Sequence, residues 1–183
     1  CTESLTIYLA NRPGKAKPGS TGELVPGHQV KIVDDQGQEV PRGEGGELML
    51  NVDSNFSYYW NKHERTKEVI NGEWIRTGDM FRQDGDGYFW FMGRIDDVIQ
   101  AGGIKVIPTE VEAILMEHPA VLEAAIVGAA DEHGLIKPKA FVTLHGGFKP
   151  SPELAEELQQ FVKTKIAPYN YPRWVEFVDE LPK

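Results

Sequence analysis

Apolar and polar residues alternate in short runs through most of the first half of the chain, separated by turn residues, as strands joined by tight loops do. Val30-Lys31-Ile32-Val33 alternates between faces and runs into Asp34-Asp35-Gln36-Gly37, a hairpin-type turn signal. Glu47 to Val52 alternates again, and Asp84-Gly85-Asp86-Gly87 separates a strand around Phe81 from Tyr88-Phe89-Trp90-Phe91. Only Asn61 to Ile70, rich in Lys and Glu, predicts a helix here. The first half is therefore expected to be mostly β.

After Arg94 the apolar positions recur at helical spacing between strand-like runs. Thr109-Glu110-Val111-Glu112, just after Pro108, reads as a capping box, with Val111, Ile114 and Leu115 on one helical face. Val121 to Ala130 and Lys139 to His145 read as strands. Ser151 is a good N-cap followed by Pro152 at the first helical position, and Leu154, Leu158, Phe161, Val162 and Ile166 line the next helix. Trp174 to Val178 closes as a strand. The fold class expected is a β-rich subdomain followed by a small α+β domain built strand, helix, strand, strand, helix, strand. The joint is no Ser/Gly linker but the charged Gly93-Arg94-Ile95-Asp96-Asp97. No internal repeat or low-complexity tract interrupts the pattern.

Composition narrows the class. A chain of 183 residues that is 40% apolar allows one medium domain or two small ones with real cores. Nineteen Lys and Arg against 28 Asp and Glu leave a net charge of −9, without any Lys/Arg block. Such a chain repels phosphate backbones, which argues against a nucleic-acid partner, so any phosphate it binds must be held locally. Apolar runs such as Ala124-Ala125-Ile126-Val127 fall far short of the roughly 20 residues of a membrane span, and no signal or transit segment is recognised. The single cysteine, Cys1, excludes an internal disulfide framework and a cysteine-ligated zinc, which fits a reducing compartment. A chain that starts at Cys1 and stops at Leu181-Pro182-Lys183 is expected to be cut from a longer one.

The candidate chemistry is sparse. Asp34-Asp35, Asp84/Asp86 and Glu156-Glu157 read as turn or helix-surface acids. His28, His63, His118, His133 and His145 have no metal-ligand spacing. Three groups remain. Thr77-Gly78-Asp79 follows the strand-like Trp74-Ile75-Arg76, and a carboxylate at a strand end can accept both hydroxyls of a ribose, although the same tripeptide is an ordinary turn. Arg94 lies beside Asp96 and Asp97, which a structural ion pair explains equally well. Ala101-Gly102-Gly103-Ile104-Lys105 between two strands is either a plain hairpin or a place where a ligand runs against bare backbone.

The order of these groups carries more than any one of them. Thr2-Glu3, Gly46-Glu47-Leu48, Tyr59-Trp60-Asn61, Trp74-Ile75-Arg76-Thr77-Gly78-Asp79, Gly93-Arg94-Ile95-Asp96-Asp97, Gly102-Gly103 and Ile107-Pro108-Thr109-Glu110-Val111-Glu112 succeed one another along the whole chain. This succession resembles the adenylate-forming superfamily of acyl- and aryl-CoA synthetases, peptide-synthetase adenylation domains and luciferases. His118 to Ala125, Asp131-Glu132-His133-Gly134 with Lys137 to Val142, and Ala167 to Arg173 are most similar to benzoate-type and medium-chain acyl-CoA ligases.

The resemblance implies activation of a small carboxylic acid with ATP and Mg²⁺, followed by acyl transfer to the thiol of CoA, in the cytoplasm or, for the parent chain, the mitochondrial matrix. Thr2 would contact the α-phosphate region, and Glu3 would help ligate Mg²⁺. Asp79 would bind the ribose hydroxyls, with Arg94 supporting ribose and phosphates. Asp96 falls at the family's hinge, which divides the chain into residues 1–93, a hinge at 94–97, and a mobile domain at 98–183. Gly102 and Gly103 would line the pantetheine tunnel in the thioester-forming state. Lys105 and Arg173 are either CoA-phosphate contacts or surface cations. The family's phosphate loop and most of its acyl pocket lie upstream of this sequence, and its adenylation lysine follows a later Thr-Gly-Lys, so Lys183 receives no such role. The 183-residue chain alone is expected to be inactive. An adenylation domain loading a carrier protein, or a non-catalytic nucleotide-binding module, would share the same nucleotide residues.

Overall fold

The computed structural model describes residues 2–182. Cys1 and Lys183, with the disulfide and adenylation readings attached to them, lie outside the described residues. The chain divides into two compact units, Cys1–Asp96 and Asp97–Lys183.

The first unit is built on strands. A 3-10 turn at Thr2–Ser4 precedes β1 (Leu9–Ala10), β2 (Glu23–Leu24), β3 (Gln29–Val33), β4 (Gly45–Asn51), α1 (His63–Val69), β5 (Ile70–Asn71), β6 (Trp74–Gln83) and β7 (Phe89–Arg94). β1 and β2 form a two-stranded sheet. The main sheet runs β3-β4-β6-β5, with β7 also paired to β6, all antiparallel. Leu48 and Leu50 on β4 are fully buried, with Ile32, Phe81 and Phe89 around them. Each such side chain contributes about 1.5–3 kcal/mol by leaving water.

Two expectations change here. The helix predicted from Asn61 to Ile70 is shorter at both ends, because Asn61 sits at φ 54 in the left-handed region and Ile70 turns into β5. Thr77-Gly78-Asp79 is neither a turn nor a strand end. It is a bulge inside the ten-residue β6, which runs from Trp74 through Gln83. Asp84 does form the expected turn, accepting from the Asp86 and Tyr88 amides and from Lys17 Nζ at 2.6 Å. These contacts hold its carboxyl well below the usual range, Lys17 contributing most.

The second unit begins with the hairpin β8 (Ile99–Ala101) and β9 (Ile104–Val106), then α2 (Pro108–Met116), β10 (Val121–Ala130), β11 (Ile136–Leu144), α3 (Pro152–Lys165) and β12 (Trp174–Phe177). β10 and β11 pair antiparallel, and β12 adds to β11 in parallel. Val111 and Leu115 from α2 and Leu158 and Val162 from α3 are fully buried against Val121, Ile126, Ala140 and Val142.

The α3 start is as the sequence dictates: the Leu154 amide donates to Ser151 Oγ at 3.1 Å, with Pro152 opening the helix. The capping box at Thr109 does not form as read. Pro108 takes the first helical position behind Ile107, whose side chain cannot cap, and the Glu112 carboxylate instead accepts from the Ile126 amide at 2.8 Å. β11 starts at Ile136, three residues earlier than its apolar run.

Candidate functional site

The first unit gathers Glu3, Asp79 and Arg94 into one electrostatic neighbourhood, starting from a register shift. Glu47 of β4 pairs with Met80, and Met49 pairs with Arg76, so Leu48 alone faces Thr77, Gly78 and Asp79. A bulge of this size leaves backbone groups without ladder partners, which side chains must replace. The Thr77 hydroxyl donates to the Leu48 carbonyl at 2.8 Å and accepts from the Asp79 amide at 3.1 Å. The Gly78 amide donates to Glu47 Oε1 at 3.3 Å. On its far side Glu47 Oε2 receives Arg76 through both Nε, at 2.8 Å, and Nη2. That hydrogen-bonded pair raises the Arg76 pKa.

Asp79 faces Arg94 across the β6–β7 pairing. Arg94 Nη1 donates to Asp79 Oδ1 at 2.9 Å and to the Thr77 carbonyl at 3.4 Å. Arg94 thus takes Asp79 as its partner, and Asp96 stands exposed in the 3-10 turn Ile95–Asp97. Asp79 Oδ2 has no hydrogen bond among the described residues. A carboxylate with one oxygen fixed and one uncommitted fits a diol, and Arg94, half-exposed, keeps further N–H donors for a ligand.

Glu3 approaches from the N-terminal turn. The Phe56 amide anchors its carbonyl at 2.9 Å, and the Tyr59 hydroxyl donates to its Oε1 at 2.8 Å. The Tyr59 bond is the main reason its carboxyl titrates below the ordinary value, with the Arg94 charge adding in the same direction. Burial, then the bond to Glu3, raises the Tyr59 phenol. Tyr8, itself buried, is raised by desolvation first and then by the charges of Asp79 and Glu3, which places both carboxylates around one phenol. Thr2 is exposed in the same turn. Among the described residues no group of three or more His, Cys, Asp or Glu is arranged to hold a metal. The fit to Mg²⁺ therefore rests on Glu3, a hard oxygen donor kept ionised.

In the second unit Gly102 and Gly103 form the two-residue tip of the β8–β9 hairpin at φ 62 and 85, and a Cβ on either would meet nothing within 4 Å. Two successive left-handed residues are what a tight primed turn demands, so the turn alone accounts for both glycines locally. Lys105 lies exposed on β9 opposite Gln100. The Arg173 guanidinium stacks 4.5 Å from the centre of the Tyr171 ring, and its amide donates to the Pro138 carbonyl at 2.7 Å.

The sequence by itself assigns no role to Glu47, Arg76 or Tyr59. Their only signal is their place within the motif succession, since each meets its partner 29 to 56 residues away.

Residues 1–60 match the family described as AMP-binding enzyme, and residues 110–183 match the AMP-binding enzyme C-terminal domain. The whole chain is 46% identical to 35% of a benzoate–CoA ligase from Thauera aromatica. Over 97% of its length it is 46% identical to 32% of the mitochondrial acyl-coenzyme A synthetase ACSM4 of Mus musculus. It superposes in full on 36% of the crystal structure of the anthranilate CoA ligase AuaEII in complex with anthranoyl-AMP, with a TM-score of 0.88 and 46% identity. The chain thus spans about a third of the length of the relatives it matches. No helix among the described residues is long and apolar enough to cross a membrane.

Proposed function

The chain belongs to the AMP-binding enzyme family of adenylate-forming proteins, and from that premise we propose that it is the C-terminal portion of an AMP-forming carboxylic acid–CoA ligase. The acid is aromatic and benzoate-like or of medium chain length. The observation that carries this reading is the Asp79–Arg94 pair beside Glu3, in a chain whose full length aligns with CoA ligases.

A carboxylate is a poor electrophile until one of its oxygens becomes part of a phosphate leaving group, and ATP supplies that group. Asp79 accepts the ribose hydroxyls while Arg94 fixes its orientation and turns spare N–H donors toward ribose and phosphate. Mg²⁺ neutralises phosphate charge when bound, and Glu3, oriented by Tyr59, is the side chain that would hold it. Thr2 contacts the α-phosphate region.

The domain reading follows the family: residues 1–93, a hinge at 94–97 centred on Asp96, and a mobile domain at 98–183. An exposed 3-10 turn where two compact units meet in sequence supports it. In the thioester-forming state the bare backbone of Gly102 and Gly103 passes the pantetheine arm of CoA, and Lys105 meets its phosphates. The parent protein works in the cytoplasm or the mitochondrial matrix.

Incubating the complete protein with ATP, CoA and a panel of benzoate, hydroxybenzoates and C4 to C10 acids should yield AMP and an acyl-CoA thioester with at least one of them. Acyl transfer to a carrier protein in place of CoA, or AMP and CoA binding without turnover, would overturn the reading. The 183-residue chain by itself should release no acid-dependent pyrophosphate.

A further inference from the structure

We propose that Glu47 is a positioning residue for the nucleotide ribose, acting through Gly78 on the Asp79–Arg94 pair. This rests on the reading of Asp79 as the ribose acceptor.

Glu47 is 5% exposed on a strand whose neighbours are core leucines. A buried carboxylate is costly unless its oxygens are satisfied, and here both are. Oε2 takes the Arg76 fork and Oε1 takes the Gly78 amide. Arg76 is 44% exposed, so water alone could hydrate its guanidinium, and it does not by itself require a buried partner. The Gly78 amide does, because the bulge removes its ladder acceptor.

Gly78 couples this bond to the site. At φ 71 its α-carbon lies against Arg94, and a Cβ built there would stand 3.0 Å from Arg94 Nη2. The next residue is Asp79 itself, whose amide is tied to the Thr77 hydroxyl. Toward β4, Glu47 and Thr77 supply side-chain bonds in place of the missing ladder, and the pair that meets the ribose stands on the segment they hold.

An amide has one acceptor end and one donor end. In Glu47→Gln, whichever of Arg76 and Gly78 the carbonyl oxygen serves, the other donor faces an NH₂ group. The bulge loses one tie with almost no change in side-chain shape.

The test is calorimetric binding of AMP and of 2′,3′-dideoxy-AMP to the complete protein. Glu47→Gln should weaken AMP about five- to tenfold, less than the full worth of one hydrogen bond to a charged group, because the lost tie reaches the ribose only through Gly78. It should leave the dideoxy nucleotide within about twofold, because a positioning effect on the diol vanishes when the diol is absent. Thr77→Val should do the same through the other tie, and carries the test should Glu47→Gln fail to fold. Equal weakening of both nucleotides, or of neither, in the folded variants overturns the proposal. Asp79→Asn is the control: it should erase the preference for AMP over the dideoxy form. An unchanged preference in that variant would instead defeat the ribose reading on which the proposal stands.

Discussion

Gly78 and Gly103 adopt the same left-handed backbone in surroundings that could hardly differ more. Gly78, at φ 71, lies in a bulge of a five-stranded sheet with the Arg94 guanidinium against its α-carbon, while Gly103, at φ 85, tips a two-stranded hairpin with nothing within 4 Å. The hairpin is made by neighbouring residues and would form its turn for conformational reasons alone. The bulge exists only because β4, β6 and β7 pair in one register, and a buried carboxylate and a threonine hydroxyl hold it open. Glycine in the first case belongs to a charged site. In the second it belongs to a turn, and any ligand must come to it from outside.

Removing packing beneath each segment is the hardest test of this contrast. Leu48→Ala, under the bulge, and Leu158→Ala, in the core of the second unit, should each cost about 2–5 kcal/mol in urea denaturation. Only Leu48→Ala should also weaken AMP binding to the complete protein, because loss of the side chain lets the β4 backbone shift where its Leu48 carbonyl accepts from Thr77.

The glycines themselves come next. Gly78→Ala and Gly103→Ala should each lose about 1–2 kcal/mol of stability from the left-handed backbone. Gly78→Ala should in addition displace Arg94 and reduce AMP affinity. Gly103→Ala should leave AMP affinity and acid-dependent ATP–pyrophosphate exchange intact and slow only the CoA-dependent step. Equal effects of the two on nucleotide binding would erase the distinction.

Ser151→Ala, remote from both glycines, should cost about 1 kcal/mol through loss of the α3 cap and change no ligand affinity.

The smallest effect is a pH dependence. The Tyr59 hydroxyl holds the Glu3 carboxyl below its ordinary value, so its stabilisation is full above the unfolded-state value and fades as pH falls through the lowered one. The advantage of the wild type over Tyr59→Phe should then be a few tenths of a kcal/mol, since Glu3 is only partly buried. It should be present above about pH 5 and disappear in acid, as measured by denaturation midpoints across pH.

Which features were legible in the sequence follows from the range of the interactions that make them. Ser151-Pro152, the Val111 and Leu115 face, the Asp84 turn and the limits of β10 all depend on neighbours within a few residues, and all stand as read. The capping box failed because two local signals competed and the proline at the first helical position prevailed over Thr109. Thr77-Gly78-Asp79 reads locally as a turn or strand end because local sequence cannot show that β4 and β7 flank it on both sides. Pattern alone could not join Asp79 to Arg94, 15 residues on, or Glu3 to Tyr59, 56 residues on. Only the order of motifs shared with a family brought those residues forward, and it left Glu47 without a role because the bulge it supports is invisible in one dimension.

Acid-dependent ATP–pyrophosphate exchange by the complete protein, wild type against Asp79→Asn, decides whether this bulge is a nucleotide site. Removing a charge-assisted acceptor of the ribose should slow exchange at subsaturating ATP by about tenfold or more while the fold, read by circular dichroism, is unchanged. Exchange at the wild-type rate in folded Asp79→Asn would contradict the assignment of the site.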